Sequence, residues 1–308
     1  MTTGLSILIP THNRCEILDR TLNSLQGLDV PAGLSIEAIV VNNVCTDATD
    51  SIVQAWITKS TIPLRLVQEP VLGLNNARNR AVREAKTHHD LLAFLDDDVL
   101  VDPHWLIALI EAFESTNAGM IGGKVELWWE AVARPEWMIP ELEDHLSRLD
   151  YGDQIKRLDE PRIVGANFAF RRKVFTDAGE FRPDLDRKGT SLISGGETDF
   201  IIKAFAKAHT LHYAPRASLR HWVPPHRAKL PHLLKIIEGK AVAQILMRNR
   251  YTMFDAARSV VGGLSKLAMH TPGALLGISP AAIRHKMRCA IGRGQIIGAI
   301  RRLRTQQT

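Results

Sequence analysis

Asp96-Asp97-Asp98 directly follows the apolar run Leu91–Leu95. Three adjacent carboxylates repel one another, and a bound cation offsets that cost. Acids at the end of a strand suit a divalent ion that bridges to a diphosphate, because Mg2+ and Mn2+ sites combine few protein carboxylates with phosphate oxygens. A solvated turn is the alternative. His221 precedes Trp222 and a Pro-Pro pair. As a third ligand beside the aspartates, an imidazole would suit an ion of intermediate hardness such as manganese, although a structural role is the commoner one for a lone histidine. A second acidic group stands in Gly195-Gly196-Glu197-Thr198-Asp199. The glycines free the backbone there, and Glu197 and Asp199 fall at or near a helix N-terminus, where acids are favoured. They read either as capping residues or as a general base at the rim of a cleft. Arg220, Arg227 and Lys229 lie close to His221 in the chain and carry charge that could neutralise a leaving phosphate.

The elements that must position these residues alternate. Leu5–Pro10, Ile36–Val41, Leu64–Gln68 and Leu91–Leu95 are short apolar runs of strand length, separated by helical spacing over Glu16–Leu28, Asp47–Thr58 and Asn75–Ala85. Such alternation predicts an α/β fold with a mostly parallel, doubly wound sheet. Ligands bind such sheets beyond the carboxyl ends of the strands. The polar clusters Thr11–Arg14, Asn42–Asp47 and Asp96–Asp98 all stand at such ends. The order then loosens. Lys124–Asp159 holds Trp128, Trp129 and Trp137 without a clean period; Ile163–Phe170 and Tyr213–His221 read as strands and Thr198–Ala208 as a helix. After Pro224-Pro225 the chain turns basic and mostly helical.

At 308 residues, 45% hydrophobic and 23% charged, the chain suits one large domain, or a domain with an appendage, and can bury a full core. Three cysteines (Cys15, Cys45, Cys289) without metal-type spacing point to a reducing compartment. No signal peptide is expected, and no apolar window of about 18 residues predicts an ordinary transmembrane helix. These features exclude a secreted mini-protein, an integral channel and a disordered scaffold. The net charge of +6 is unevenly placed: residues 227–308 carry 15 Lys and Arg against two acids, whereas residues 1–226 carry 24 against 31. The basic tail suits a polyanion, an anionic membrane or nucleic acid, or is a solvated helix face. Leu233, Ile236 and Ile237, then Leu264, Leu267 and Met269, then Ile296, Ile297 and Ile300, give apolar patches beside cations. That composition suits an interfacial helix on an anionic leaflet. A packed helical appendage or an oligomer contact is the alternative.

Six short segments, in order, carry a resemblance. They are Ser6–Arg14 (SILIPTHNR), Val40–Asp47 (VVNNVCTD), Leu72–Asn79 (LGLNNARN), Phe94–Asp98 (FLDDD), Gly165-Ala166-Asn167 with Arg171-Arg172, and Gly196–Asp199 (GETD). Over roughly residues 5–225 the chain resembles the family-two inverting glycosyltransferases of the GT-A fold. The resemblance implies a catalytic domain over 1–225, with a nucleotide-binding half to about 103 and an acceptor half from about 104. Residues 226–308 then form a basic helical extension. It also implies roles. Pro10, Thr11 and Arg14 would line the nucleotide pocket, and Arg78 would contact the base or a phosphate. Asp96 or Asp97 would reach the ribose; Asp98 would bind Mn2+ or Mg2+ together with Asp96, and His221 resembles a third ligand. Glu197 would be the base, with Asp199 as the fallback. Asn167 would lie on the acceptor side. Asn42 departs from the family's usual aspartate, and an amide can both accept and donate at a nucleobase edge. Trp128, Trp129 and Trp137 suit stacking on a sugar acceptor, or a lid or dimer contact. Arg227 is a diphosphate candidate.

The implied reaction is metal-dependent transfer from a nucleoside diphosphate sugar, a UDP-sugar first, to an acceptor hydroxyl with inversion. The acceptor would be a carbohydrate or lipid-linked glycan in polysaccharide, glycolipid or other glycoconjugate synthesis. The expected location is the cytoplasm or the cytoplasmic face of a membrane, with no nucleic acid as partner. One rival is a sugar-1-phosphate nucleotidyltransferase, which would carry a glycine-rich basic loop where Pro10-Thr11-His12-Asn13 stands. The other is a non-catalytic protein that binds nucleotides or nucleic acid, for which no signature is present.

Overall fold

The computed structural model describes residues 4–186, 192–248 and 250–305. Among these, residues 4–128, 147–183 and 197–222 form one compact unit, and 129–146, 184–196 and 223–305 a second. The strands are β1 (Gly4–Thr11), β2 (Ser35–Asn42), β3 (Leu64–Gln68), β4 (Leu91–Leu95), β5 (Val99–Val101), β6 (Met120–Trp128), β7 (Lys156–Leu158), β8 (Asn167–Arg171) and β9 (Leu211–Trp222). The helices are α1 (Cys15–Leu25), α2 (Thr49–Lys59), α3 (Leu74–Glu84), α4 (Trp105–Thr116), α5 (Pro140–Glu143), α6 (Arg172–Ala178), α7 (Gly196–Phe205), α8 (Leu230–Leu246), α9 (Met253–Ala274) and α10 (Pro280–Thr305).

All strands of the first unit join one mixed sheet in the order β3-β2-β1-β4-β8-β6-β9-β5, with β7 on β9. The residues of β1 and β4 are buried throughout. Strands covered on both faces need continuous apolar sequence, which is why LSILIP and LLAFL read so clearly. The β3-β2-β1-β4 part is parallel. β8 then enters antiparallel to both β4 and β6. β6 and β9 run parallel, and β5 and β7 are antiparallel to β9. Chain order reverses direction across the sheet between β1 and β4, the switch point at which ligands bind in open α/β sheets. Thr11 ends β1 there and Asp96–Asp98 follow β4.

The loosely patterned stretch resolves differently from its reading. β6 runs on to Trp128 through Gly122-Gly123, a pair that breaks the strand pattern. Gly123 has no alternative: a Cβ there would lie 2.1 Å from the Ala217 carbonyl oxygen and 2.3 Å from the Asn167 amide nitrogen. The strand read over Ile163–Phe170 starts only at Asn167, after a turn in which the Asn167 N–H donates to the Val164 carbonyl (3.2 Å).

In the second unit α8, α9 and α10 pack together. Leu233 (0%), Ile236 (0%) and Ile237 (3%) are buried in it, so the α8 patch expected at a membrane is core. Each such side chain contributes roughly 1.5–3 kcal/mol by leaving water. Of the other patches, Leu264 and Met269 are exposed on α9 and Ile300 on α10, while Leu267, Ile296 and Ile297 are half-buried. No helix of the described residues is long and apolar enough to cross a membrane.

Candidate active site

The acidic triplet is held from three sides within the first unit. Thr11 Oγ1 donates to Asp97 Oδ2 at 2.7 Å. Arg14 Nη1 donates to Asp97 Oδ1 (3.1 Å) and Asp98 Oδ2 (2.5 Å). Below them Thr21, fully buried on α1, sets the turn between β4 and β5: its hydroxyl lies 2.9 Å from the carbonyl oxygens of Asp97 and Val99 and accepts the Val99 N–H at 3.1 Å. The Asp98 carbonyl accepts the Trp222 N–H at 2.9 Å, and His221 pairs with Val99 across β5 and β9. That register brings His221 Nε2 to 3.1 Å from Asp98 Oδ1 and 3.8 Å from Asp96 Oδ2.

Asp96, Asp98 and His221 therefore offer two carboxylate oxygens and one imidazole nitrogen, all within 4.8 Å of one another. Asp98 and His221 are buried at 1%, and Asp96 opens the cluster to solvent with its side chain 30% exposed. Two oxygens and a nitrogen on one open side fit Mn2+ or Mg2+, with places left for a ligand's oxygens. Burial pushes the Asp97 carboxyl up to about 6, against the Arg14 guanidinium and with the repulsion of Asp98 and Asp96. Asp97 and Asp98 in turn hold Arg14 firmly protonated. Burial also opposes charge on Asp96, but His221 and Arg78 outweigh it and keep that carboxyl below its usual value.

The second acidic group lies within electrostatic reach of Asp96. Arg78, 2% exposed on α3, donates from Nη2 to Glu197 Oε1 at 2.7 Å and from Nη1 to Asn75 Oδ1 at 3.2 Å. Its guanidinium carbon sits 5.7 Å and 5.8 Å from the ring centroids of Phe94 and Phe181. Burial alone would raise the Glu197 carboxyl; Arg78 reverses that, so the group is ionised below the usual glutamate range. Its side chain keeps 20% exposure. Asp199, two residues on, is tied to Lys203 (2.6 Å) and Arg182 (3.4 Å) with its side chain 7% exposed. Of the two acids, Glu197 is the more exposed. Gly165 walls the pair: a Cβ there would lie 2.3 Å from Glu197 Oε1 and 2.4 Å from Arg78 Nη2.

Several expected contacts are placed elsewhere. Arg78 pairs with Glu197 instead of standing free for a base or phosphate. Asn167 is 2% exposed; its amide donates to the Lys124 and Ala217 carbonyls and its oxygen accepts Trp105 Nε1, so it braces β6, β8 and β9 rather than facing an acceptor. Leu127 is the residue in register with His221, so Trp128, one residue on, faces the opposite side of the sheet. There it lies between Arg20 and Arg220, with ring-centroid distances of 4.1 Å and 5.9 Å. Arg220 is thus also turned away from His221. Trp129 and Arg227 belong to the second unit, and Arg227 is buried at 5%. Pro10 and Thr11 are buried at the end of β1.

Asn42 is buried, and its amide is engaged: Nδ2 donates to Asp50 Oδ1 and Oδ1 accepts the Cys45 N–H at 2.7 Å. Gln68 Nε2 adds a bond to Asp50 Oδ2 at 3.1 Å. The exposed Asp50 carboxylate therefore stands beside Asn42, a residue the sequence reading passed over because it sits inside a helical pattern. In the sequence, Asn43 stands in the Asn42–Asp47 cluster without a role of its own. Its side chain donates to the carbonyls of Glu69 and Val71 and accepts the Gly73 N–H, which ties down the loop before α3.

The family model described as glycosyl transferase family 2 matches residues 6–179. The succinoglycan biosynthesis protein ExoM of Rhizobium meliloti (strain 1021) is 25% identical over 97% of this chain and 94% of its own length. Among solved structures, the mannosyltransferase PcManGT from Pyrobaculum calidifontis in complex with GDP-Man and Mn2+ superposes with a TM-score of 0.63 at 18% identity, covering 97% of this chain and 86% of that one. TarS 1-349 of S. aureus in complex with UDP-GlcNAc superposes with a TM-score of 0.53 at 17% identity, covering 99% and 91%. At such identities the two structures speak for the fold alone.

Proposed function

The chain belongs to glycosyl transferase family 2, and from that premise we propose that it moves a sugar from a nucleoside diphosphate donor to an acceptor hydroxyl with inversion. Its sheet and helices form the GT-A fold. Family membership speaks for transfer of a sugar over the nucleotidyltransferase alternative. The observation that carries the finer reading is the convergence of Asp96, Asp98 and His221 within 4.8 Å, in electrostatic reach of an ionised, partly exposed Glu197.

Mn2+ or Mg2+ held by Asp96, Asp98 and His221 would supply charge compensation for a diphosphate. The chain's own residues do the rest. Glu197 accepts the proton of the acceptor hydroxyl. The acceptor oxygen bonds to the anomeric carbon as the bond to the diphosphate oxygen breaks, and the nucleoside diphosphate leaves. Arg78 keeps the base ionised and aimed. Asp199 is locked by Lys203 and Arg182, so it does not stand beside Glu197 as a second carboxylate for a nucleophilic role, which favours single displacement and hence inversion. Thr11 and Arg14 hold Asp97 at the ribose side. Asn42 presents Asp50, whose carboxylate can accept an N–H of the base. UDP-GlcNAc and GDP-Man are the donors bound in two structural neighbours, and ExoM is named for polysaccharide biosynthesis. We propose a UDP-sugar as donor and a carbohydrate or lipid-linked glycan as acceptor, with an anionic membrane as the partner of the basic helices.

A thermal-shift panel of nucleoside diphosphates with and without Mn2+ tests the donor site. At 100-fold above Kd, binding adds about 2.7 kcal/mol, and the midpoint should rise by roughly 4–8 °C. Equal shifts without metal, or none, would defeat the reading.

Two further outcomes follow from the Arg78–Glu197 pair. Arg78→Met removes the charge that overrides burial, so the Glu197 pKa should rise. The base is then protonated at higher pH, and the acid limb of the kcat profile should move upward; an unmoved limb would separate Arg78 from the base. Gly165→Ala pushes a methyl group into the same pair. Misplacement of a reacting group by about 1 Å costs on the order of 10²-fold, so kcat should fall on that scale with donor binding retained.

A further inference from the structure

Fifteen large hydrophobic side chains are exposed among the described residues, and eight of them lie between Met253 and Ile278. Met253 (72%), Phe254 (75%), Val261, Leu264 and Met269 are on α9, and Leu275 (79%), Leu276 (77%) and Ile278 follow its end. At about 100° per residue, the five on the helix fall within roughly 160° of arc. The buried residues of α9 are Ala256, Ser259 and Gly263. A Cβ on Gly263 would lie 2.6 Å from the Gly292 carbonyl oxygen, so α9 and α10 meet backbone to backbone. This helix therefore buries its small residues and displays its large ones, the reverse of what water selects. Exposed apolar patches of this kind mark interaction sites.

Charge identifies the occupant. Residues 250–305 contain ten Lys and Arg and one acid, Asp255. That acid is engaged in a capping box with Thr252 at the start of α9. Arg250, Arg258 and Arg288 are exposed. A second copy would bring the same positive rim to the face and be repelled, whereas an anionic leaflet is complementary. α9 is not apolar enough to cross a bilayer, which leaves lying in its interface.

We infer that the outer face of α9 is a membrane-binding surface that lies flat in the headgroup region of an anionic bilayer, with Phe254 at one end and Leu275-Leu276 at the other inserted deepest. This deepens the membrane part of the proposed function and needs none of its transfer chemistry.

Flotation of the full chain with vesicles tests it. With phosphatidylglycerol in phosphatidylcholine at low salt, most of the protein should float; with phosphatidylcholine alone, partition should be at least tenfold weaker. The triple variant Phe254→Ser, Leu275→Ser, Leu276→Ser should lose at least tenfold of the anionic-vesicle binding. These side chains are solvent-exposed, so its metal-dependent nucleotide shift should match wild type, which keeps failure of this inference distinct from failure of the donor site. The inference is overturned by no flotation, by equal binding to neutral vesicles, or by undiminished binding of the variant. It is equally overturned if light scattering shows a micromolar dimer that the triple substitution dissolves.

Discussion

Glu197→Gln should lower kcat by about 10²–10⁴-fold, the usual contribution of a general base, while leaving the metal-dependent nucleotide shift intact. The amide keeps the length and can still accept from Arg78 Nη2, the partner at 2.7 Å. It cannot take a proton. Arg78 keeps wild-type Glu197 ionised below the usual glutamate range, so the loss should be nearly constant across neutral pH. Steady-state rates with single-turnover controls measure it. Near-normal kcat would assign the proton to another group. Asp199→Asn makes a useful contrast: Asp199 anchors Lys203 and Arg182, so that variant should lose stability before it loses the chemical step.

The second large effect is expected at Asp98. Asp98→Asn should abolish the Mn2+ dependence of nucleotide binding and reduce kcat/KM by at least 10²-fold, the scale on which losing one electrostatic stabiliser is felt. Asp98 is the carboxylate nearest His221 Nε2, at 3.1 Å, and is almost wholly buried. The fold should survive the change. The amide oxygen can still accept from Arg14, Arg14 keeps Asp97, and the turn is set by Thr21 through backbone atoms. A midpoint close to wild type with the metal effect gone is the expected pair of results. Retained metal dependence would place the ion elsewhere.

Much of the β1–β4 half was legible because its strands are buried on both faces and its acids stand at strand ends. Leu64–Gln68 and Leu91–Leu95 form strands with the bounds read from sequence. β6 was not legible, because Gly123 serves the close approach of Ala217 and contributes nothing to a pattern. Nor were partners. Arg78 was visible as a cation in LGLNNARN, but only the fold shows that its counter-charge is Glu197. Asn167 was visible as a polar residue in an apolar strand, yet three carbonyl and indole contacts account for all of it. Trp128 shows a third limit: a shift of one residue along a strand decides which face a side chain serves, and periodicity could not supply the register with His221.

The wide sequence separations across the site also bear on how the chain acquires its activity. Thr11 and Asp97 are 86 residues apart, and Arg78 and Glu197 are 119 apart. Strands β1 to β4 can pair through their own crossovers, but the imidazole of His221 arrives only when β9 joins between β6 and β5. Closing such long loops comes before the contacts that reward it. A nascent chain halted before β9 would already carry the three carboxylates and Glu197 yet lack the imidazole of His221. Activity should thus appear all at once, late in folding. A cation held by Asp96, Asp98 and His221 would act chiefly by slowing the first step of unfolding, with little effect on the rate of early sheet assembly.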